Sequence, residues 1–273
     1  MKRKILYALV TTNCNLSCKY CDIKDKNDNF NYDEFINKLD IFDGDIILFG
    51  GEPTLYQDRL FDIYYSYPKI NNKIKSITTN LMSINNKLIT LFQIIGNLGT
   101  SWNPDRFNNL EYEIWLNNIN KIAEVSNLKI SVLITLVDSV INLTSDEFYD
   151  IISKWNFDII KSINFEHYVG PEVTQDYFEK CDNWLCEIYK KWNINAKIKN
   201  ENRVKHWYDD CSEVYTLYPD GKLINRCPHN LPNNVPTKCY NCDRVSFCKP
   251  CQLQKYCTFP FKFYNLISKN EKI

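Results

Sequence analysis

The chain has 273 residues, 44% of them hydrophobic and 24% charged, enough to bury a core as one large domain or as a domain with an appendage. No apolar run reaches the roughly 18 residues of a membrane helix, so no membrane partner is expected. Lys plus Arg and Asp plus Glu stand at 33 each, and this balance carries no sign of a nucleic-acid partner.

The N-terminus, MKRKILYALV, is basic and then apolar, but it is too short for an export signal and has no small-residue cleavage site. Ile5–Val10 reads as a first strand. Phe35, Ile36 and Leu39 follow at helical spacing. Asp45–Gly51 is a buried strand ending in two glycines, and Leu60–Tyr67 a helix stopped by Pro68. Ile74–Asn80 predicts a strand, Lys87–Ile95 a helix, Leu98–Trp102 a short strand and Leu110–Val125 a helix. Leu128–Val137 is the clearest strand. Ser145–Trp155 opens on an N-cap signal and is helical. Ile159–Tyr168 predicts a strand and Thr174–Lys191 a long amphipathic helix. Six β-α units in regular alternation predict an α/β fold with a parallel sheet, two units short of a closed eightfold barrel and therefore a partial (βα)6 TIM-type barrel. In such folds chemistry gathers at the C-terminal ends of the strands. After about residue 200 glycine, proline and cysteine punctuate short segments and helical periodicity stops. This places a domain boundary near 195–205, with a barrel over 1–200 and a small cysteine-rich domain over 201–273, stabilised by metal crosslinks.

Twelve cysteines are distributed unevenly: three lie in 14–21, seven in 211–257, and none between 22 and 180. Disulfide frameworks spread their cysteines across the fold, whereas short-gap clusters match metal ligation in a reducing compartment, here the cytoplasm. The first group, Cys14, Cys18 and Cys21, has the spacing C-x3-C-x2-C. Three thiolates of one loop can hold three irons of a cubane cluster and leave the fourth open to a small molecule. A zinc site with a distant fourth ligand is the alternative for this spacing.

The run Cys14-Asn-Leu-Ser-Cys18-Lys-Tyr20-Cys21, with Gly50-Gly51-Glu52-Pro53 after the second strand, resembles the radical S-adenosylmethionine (SAM) superfamily. The resemblance implies a [4Fe–4S] cluster on Cys14, Cys18 and Cys21 whose open iron chelates SAM. It also implies Gly50, Gly51 and Glu52 along the methionine amino group and Tyr20 near the adenine. Asn80 and Ser101 are polar candidates for SAM, with capping or turn formation as their alternative.

The second group runs Cys211-x9-Gly221-x5-Cys227, then Cys239-x2-Cys242-x5-Cys248-x2-Cys251-x5-Cys257. It is similar to the SPASM extension of radical SAM enzymes, with two spacings off by one. The resemblance implies auxiliary [4Fe–4S] clusters: Cys239, Cys242, Cys248 and Cys257 on a distal one, and Cys211, Cys227 and Cys251 on a proximal one. His206, Cys186 and Cys181 are candidates for a remaining position, although core packing accounts for both helical cysteines. One auxiliary cluster instead of two, or a pair of zinc knuckles in the C-terminal domain, are the alternatives.

Glu166, His167 and Tyr168 end the sixth strand; alternation puts Glu166 and Tyr168 on one side, where they could touch substrate. Asp105 and Arg106 follow the fourth strand and could bind a polar group or form an ion pair. The expected activity is reductive cleavage of SAM and hydrogen abstraction. Analogy with SPASM relatives favours a peptide or protein side chain as substrate. The cluster loop starts too early for a leader-peptide domain before it, which keeps a nucleoside, DNA base, sugar or other small molecule as the enzyme alternative. A non-catalytic zinc-binding adaptor is the alternative of another class. Flavodoxin or ferredoxin is the electron donor the resemblance implies.

Overall fold

The structure is a computed structural model that describes residues 4–21, 23, 28–167, 175–194, 203–206 and 214–224. The strands are β1 (Ile5–Thr11), β2 (Asp45–Gly50), β3 (Ile74–Thr78), β4 (Leu98–Ser101), β5 (Ile130–Leu136), β6 (Ile160–His167), β7 (Arg203–His206), β8 (Val214–Leu217) and β9 (Leu223–Ile224). They form one sheet in the order β7-β6-β5-β4-β3-β2-β1-β8-β9. All neighbours are parallel except β8 and β9, which form an antiparallel hairpin. The described sheet is open, with β7 and β9 at its edges. The expected partial barrel is thus present, and its sheet is extended by three strands that hydrophobic periodicity did not reveal. Among the described residues no helix is long and apolar enough to cross a membrane.

Helices α1 (Tyr32–Ile41), α2 (Gln57–Tyr65), α3 (Pro68–Asn71), α4 (Asn86–Ile95), α5 (Asn109–Val125), α6 (Asp138–Ile141), α7 (Ser145–Ile152) and α8 (Gln175–Ile194) connect the strands. Their starts are written in side chains. Asn108 and Glu111 form a reciprocal capping box on α5, and Thr144 and Glu147 form one on α7, so the cap lies one residue before Ser145. Pro68 does more than stop the preceding helix: its fixed φ starts α3.

The sheet has two unlike faces. Residues pointing toward the helices are fully buried, among them Leu6, Leu48, Ile77, Val132, Ile134 and Phe165. Phe165 packs edge-on to Trp184 of α8, and Phe148 of α7 packs against the same Trp184. The alternate residues, including Tyr7, Phe49, Ser101, Ser131, Thr135 and Asn164, are half-buried. Strand alternation therefore separates an apolar wall from a more open interior.

Candidate cofactor site

Because β1 to β6 are parallel, Thr11–Cys21, Gly50–Glu52, Thr79–Asn80, Ser101–Arg106 and Glu166 all lie at or beyond one edge of the sheet. The loop after β2 lies directly on the loop after β1. Gly51 N donates to Thr11 O at 2.8 Å and Glu52 N to Asn13 O at 2.7 Å. Gly50 has φ +144°, and a Cβ there would strike the Thr11 carbonyl oxygen; a Cβ at Gly51 would strike that of Asn13. Only glycine permits this approach.

Glu52 is fully buried. Its Oε1 accepts from Thr54 N (3.0 Å), Thr54 Oγ1 (2.6 Å) and Thr79 Oγ1 (2.7 Å), and its Oε2 from Asn80 N (2.6 Å). It forms no ion pair with a described cation. The carboxylate thus ties the loop after β2 to the end of β3 with neutral donors, its negative charge matched by no described cation.

Asn80 follows. Its Nδ2 donates to Asn15 Oδ1 at 2.7 Å and lies 3.9 Å from Cys14 Sγ, while its Oδ1 accepts from Met82 N at 2.9 Å. The next residue, Leu81, is buried at φ +60°, a left-handed conformation costly for leucine. Asn118 of α5 holds it there by donating to Leu81 O at 2.6 Å.

Cys14 and Cys21 are half-buried and Cys18 is buried; all three are free thiols. Leu16 N donates to Cys14 Sγ at 3.4 Å, and Cys21 N to Cys18 O at 3.2 Å. Burial pushes the Cys14 thiol up, and the charge of Glu52 adds to the shift. Burial also pushes Tyr20 up to about 12. The Tyr20 hydroxyl stands beside Arg106 and Cys18 yet is buried without a hydrogen-bond partner, as is Arg106 Nε. Arg106 is fixed by a turn, its N donating to Asn103 O at 3.1 Å. Asn103 is itself latched to the end of β5: its Nδ2 donates to Thr135 O at 2.6 Å, and its Oδ1 accepts from Thr135 N at 3.3 Å.

Among the described residues no three Cys, His, Asp or Glu side chains converge on one metal ion. Three thiols on one loop are a donor set that fits the irons of a cubane cluster, one thiolate to each. Two orphaned polar atoms and the glycine cradle border the same loop.

Of the other candidates, Ser101 ends β4 on the interior face, half-buried, and Asp105 is exposed. Glu166 is half-buried, paired in register with Thr135 and on the face opposite Phe165. Cys181 is fully buried in α8, and Cys186 packs against the core. Tyr168, Cys211, Cys227, Cys239, Cys242, Cys248, Cys251 and Cys257 lie outside the described residues, as do the side chains of His167 and His206. Gly221, the glycine of the second cysteine pattern, sits between β8 and β9 at φ +84°, and a Cβ there would strike Glu34 of α1. Sequence reasoning gave no role to Thr79, Asn103 or Asn118, because each acts through a contact with a distant segment of the chain.

Fold and site define an α/β protein with an open parallel sheet and a cysteine loop at the C-terminal end of its first strand. No family model and no curated protein matches the chain. Among solved structures it is similar to Streptococcus suis SuiB bound to S-adenosylmethionine, with a TM-score of 0.58, 14% identity, and coverage of 90% of this chain and 72% of that one. A second crystal structure of SuiB gives a TM-score of 0.56 at 12% identity, covering 97% of this chain and 68% of that one. The likeness establishes the fold.

Proposed function

We propose that the protein is a radical SAM enzyme that abstracts a hydrogen atom from a peptide or protein side chain. The observation that carries the reading is the backbone pairing of the two motif loops, Gly51 N to Thr11 O and Glu52 N to Asn13 O, beside three free cysteines. The fold shared with a protein bound to S-adenosylmethionine supports it.

Cys14, Cys18 and Cys21 would hold three irons of a [4Fe–4S] cluster. Gly50, Gly51 and Glu52 would border the methionine end of SAM, where the buried Glu52 carboxylate would offset its ammonium charge. Asn80, anchored by Asn15 and Met82 N, orients the side of the site next to Cys14. Bound there, the cluster and SAM would supply, with one electron from a flavodoxin- or ferredoxin-type donor, the reductive cleavage and hydrogen-atom abstraction of this chemistry. The interior face of β4–β6, with Ser101, Ser131, Asn164 and Glu166, is the wall on which a polar substrate is held. Cysteines 211–257 bind auxiliary clusters in this reading.

The test is anaerobic reconstitution, an iron, sulfide and zinc count, then SAM with dithionite and an assay for 5′-deoxyadenosine. Iron near twelve per chain, or near eight with one auxiliary cluster, together with 5′-deoxyadenosine is the expected result. Zinc alone, with SAM left intact, overturns it in favour of the adaptor.

A further inference from the structure

A network of side chains from outside the two motifs joins the segments that enter and leave the cysteine loop. The Arg59 guanidinium of α2 lies between two aromatic rings, its Cζ 4.0 Å from the Phe30 centroid and 4.0 Å from that of Tyr56. Its Nη1 donates to Val10 O, within β1, at 3.0 Å and lies 3.4 Å from Asp28 Oδ2. Asp28 Oδ1 in turn accepts from Thr12 N at 3.0 Å. Asn13 Nδ2 donates to Tyr56 Oη at 2.6 Å and lies 3.4 Å from Asp28 Oδ2. Thr12 and Asn13 enter the loop; Asp28 and Phe30 leave it. The Arg59–Asp28 pair is the most shielded ion pair among the described residues, with side chains 22% and 9% exposed. A guanidinium flattened between two rings is a geometry that lysine would not reproduce.

We infer that Arg59, Asp28 and Tyr56 form a clasp joining the two ends of the cysteine loop, and that its opening sets how fast the loop exposes the buried Cys18 thiol and loses a bound cluster. The second half rests on the cluster reading above; the first does not. Arg59 is a positioning residue. It acts on the thiols through the backbone of Val10 and through Asp28, which holds Thr12. A loop pinned at both ends exposes Cys18, 6% exposed, only by releasing one end.

The test compares wild type with Arg59→Met and Asp28→Ala. Metal-free protein is treated with iodoacetamide, and labelling of Cys18 and of Cys181 is followed by mass spectrometry. Cys181 lies in α8, away from the clasp, and reports global opening. Each variant is expected to label Cys18 roughly tenfold faster with Cys181 unchanged, and the double variant to add little, since both act on one clasp. In reconstituted protein, iron loss to a chelator should accelerate by a similar factor. Cys18 labelling within twofold of wild type in both variants overturns the clasp, and so does an equal acceleration at Cys181 in both. Thiol labelling needs no iron, so a wild-type chain that takes up none would sink the cluster reading and the second half while leaving the clasp itself measured.

Discussion

On the helix-facing side of β4–β6, Thr100, Val132, Ile134 and Phe165 are fully buried; on the interior side Ser101, Ser131, Thr135 and Asn164 alternate with them and stay half-buried. The same strands thus carry two chemistries. The outer face meets large rings: Trp115 of α5 stacks on Tyr112, meets Trp155 edge-on at 5.3 Å and donates from Nε1 to Thr100 Oγ1 at 3.1 Å. The inner face carries short side chains that bond mainly to one another, Ser162 to Ser131 at 3.0 Å and Asn164 to Ser162 at 3.2 Å. Apolar area removed from water is the dominant source of stability, so the outer face holds the fold together. The inner face gives up burial and keeps hydrogen-bonding groups along the strands whose C-terminal ends meet the cysteine loop's edge of the sheet.

Three substitutions break or sharpen this contrast. The largest effect belongs to the cysteine loop. Cys18→Ala should abolish 5′-deoxyadenosine formation and lower the iron count by about four per chain, with the urea midpoint of the metal-free protein little changed. Retained SAM cleavage would separate chemistry from the loop. Next is Trp115→Ala, which empties the outer wall and leaves Thr100 Oγ1 without its donor; it should cost about 3–5 kcal/mol in urea unfolding. Smaller again is Ser131→Ala. It removes one half-buried hydroxyl pair and should cost no more than about 1 kcal/mol, while altering product formation more than SAM cleavage. A cost equal to that of Trp115→Ala would mean that the inner face also carries the fold.

The outer face was legible in the sequence because burial imposes periodicity: Leu128–Val137 and Leu110–Val125 predicted β5 and α5 to within two residues at either end. Of the site, the cysteine spacing and the two glycines could be read because chain-local geometry demands them. The supports could not. Arg59 lies in QDRLFD and resembles any helix-surface charge until Phe30 and Tyr56 close around it. Asn103, in SWNPDRF, reads as a turn residue, yet its bonds go to Thr135 in the next strand. β7 to β9 were missed because these short strands lie after residue 200, where cysteine-, glycine- and proline-punctuated segments replace the regular strand–helix alternation that exposed the similarly short β4. Neighbouring strands, not their own pattern, make them strands.

A last test of the outer wall lies in its pH dependence. Cys181 is fully buried in α8, and burial pushes its thiol up from an ordinary value of 9.0 to about 12; a hydrogen bond to Tyr177 works the other way, and the charges of Asp138 and Asp182 add to the rise. A thiol whose folded value is raised contributes stability that is fully present below its unfolded value and is lost as pH climbs toward the folded one. In the window from about pH 9 to about pH 12 the unfolded chain releases this proton and the folded chain keeps it, so stability should fall with rising pH. Cys181→Ala should flatten that fall in part, leaving the shares of Tyr20, whose hydroxyl shifts from 10.0 to about 12, and of Cys14 and Tyr112, which burial also pushes up. Urea midpoints of metal-free wild type and variant, taken at about pH 8 and about pH 11, measure the difference between the two slopes. Equal slopes would show that the folded protein lets Cys181 ionise, which would place that stretch of α8 in contact with water and not in the wall that supports β5 and β6.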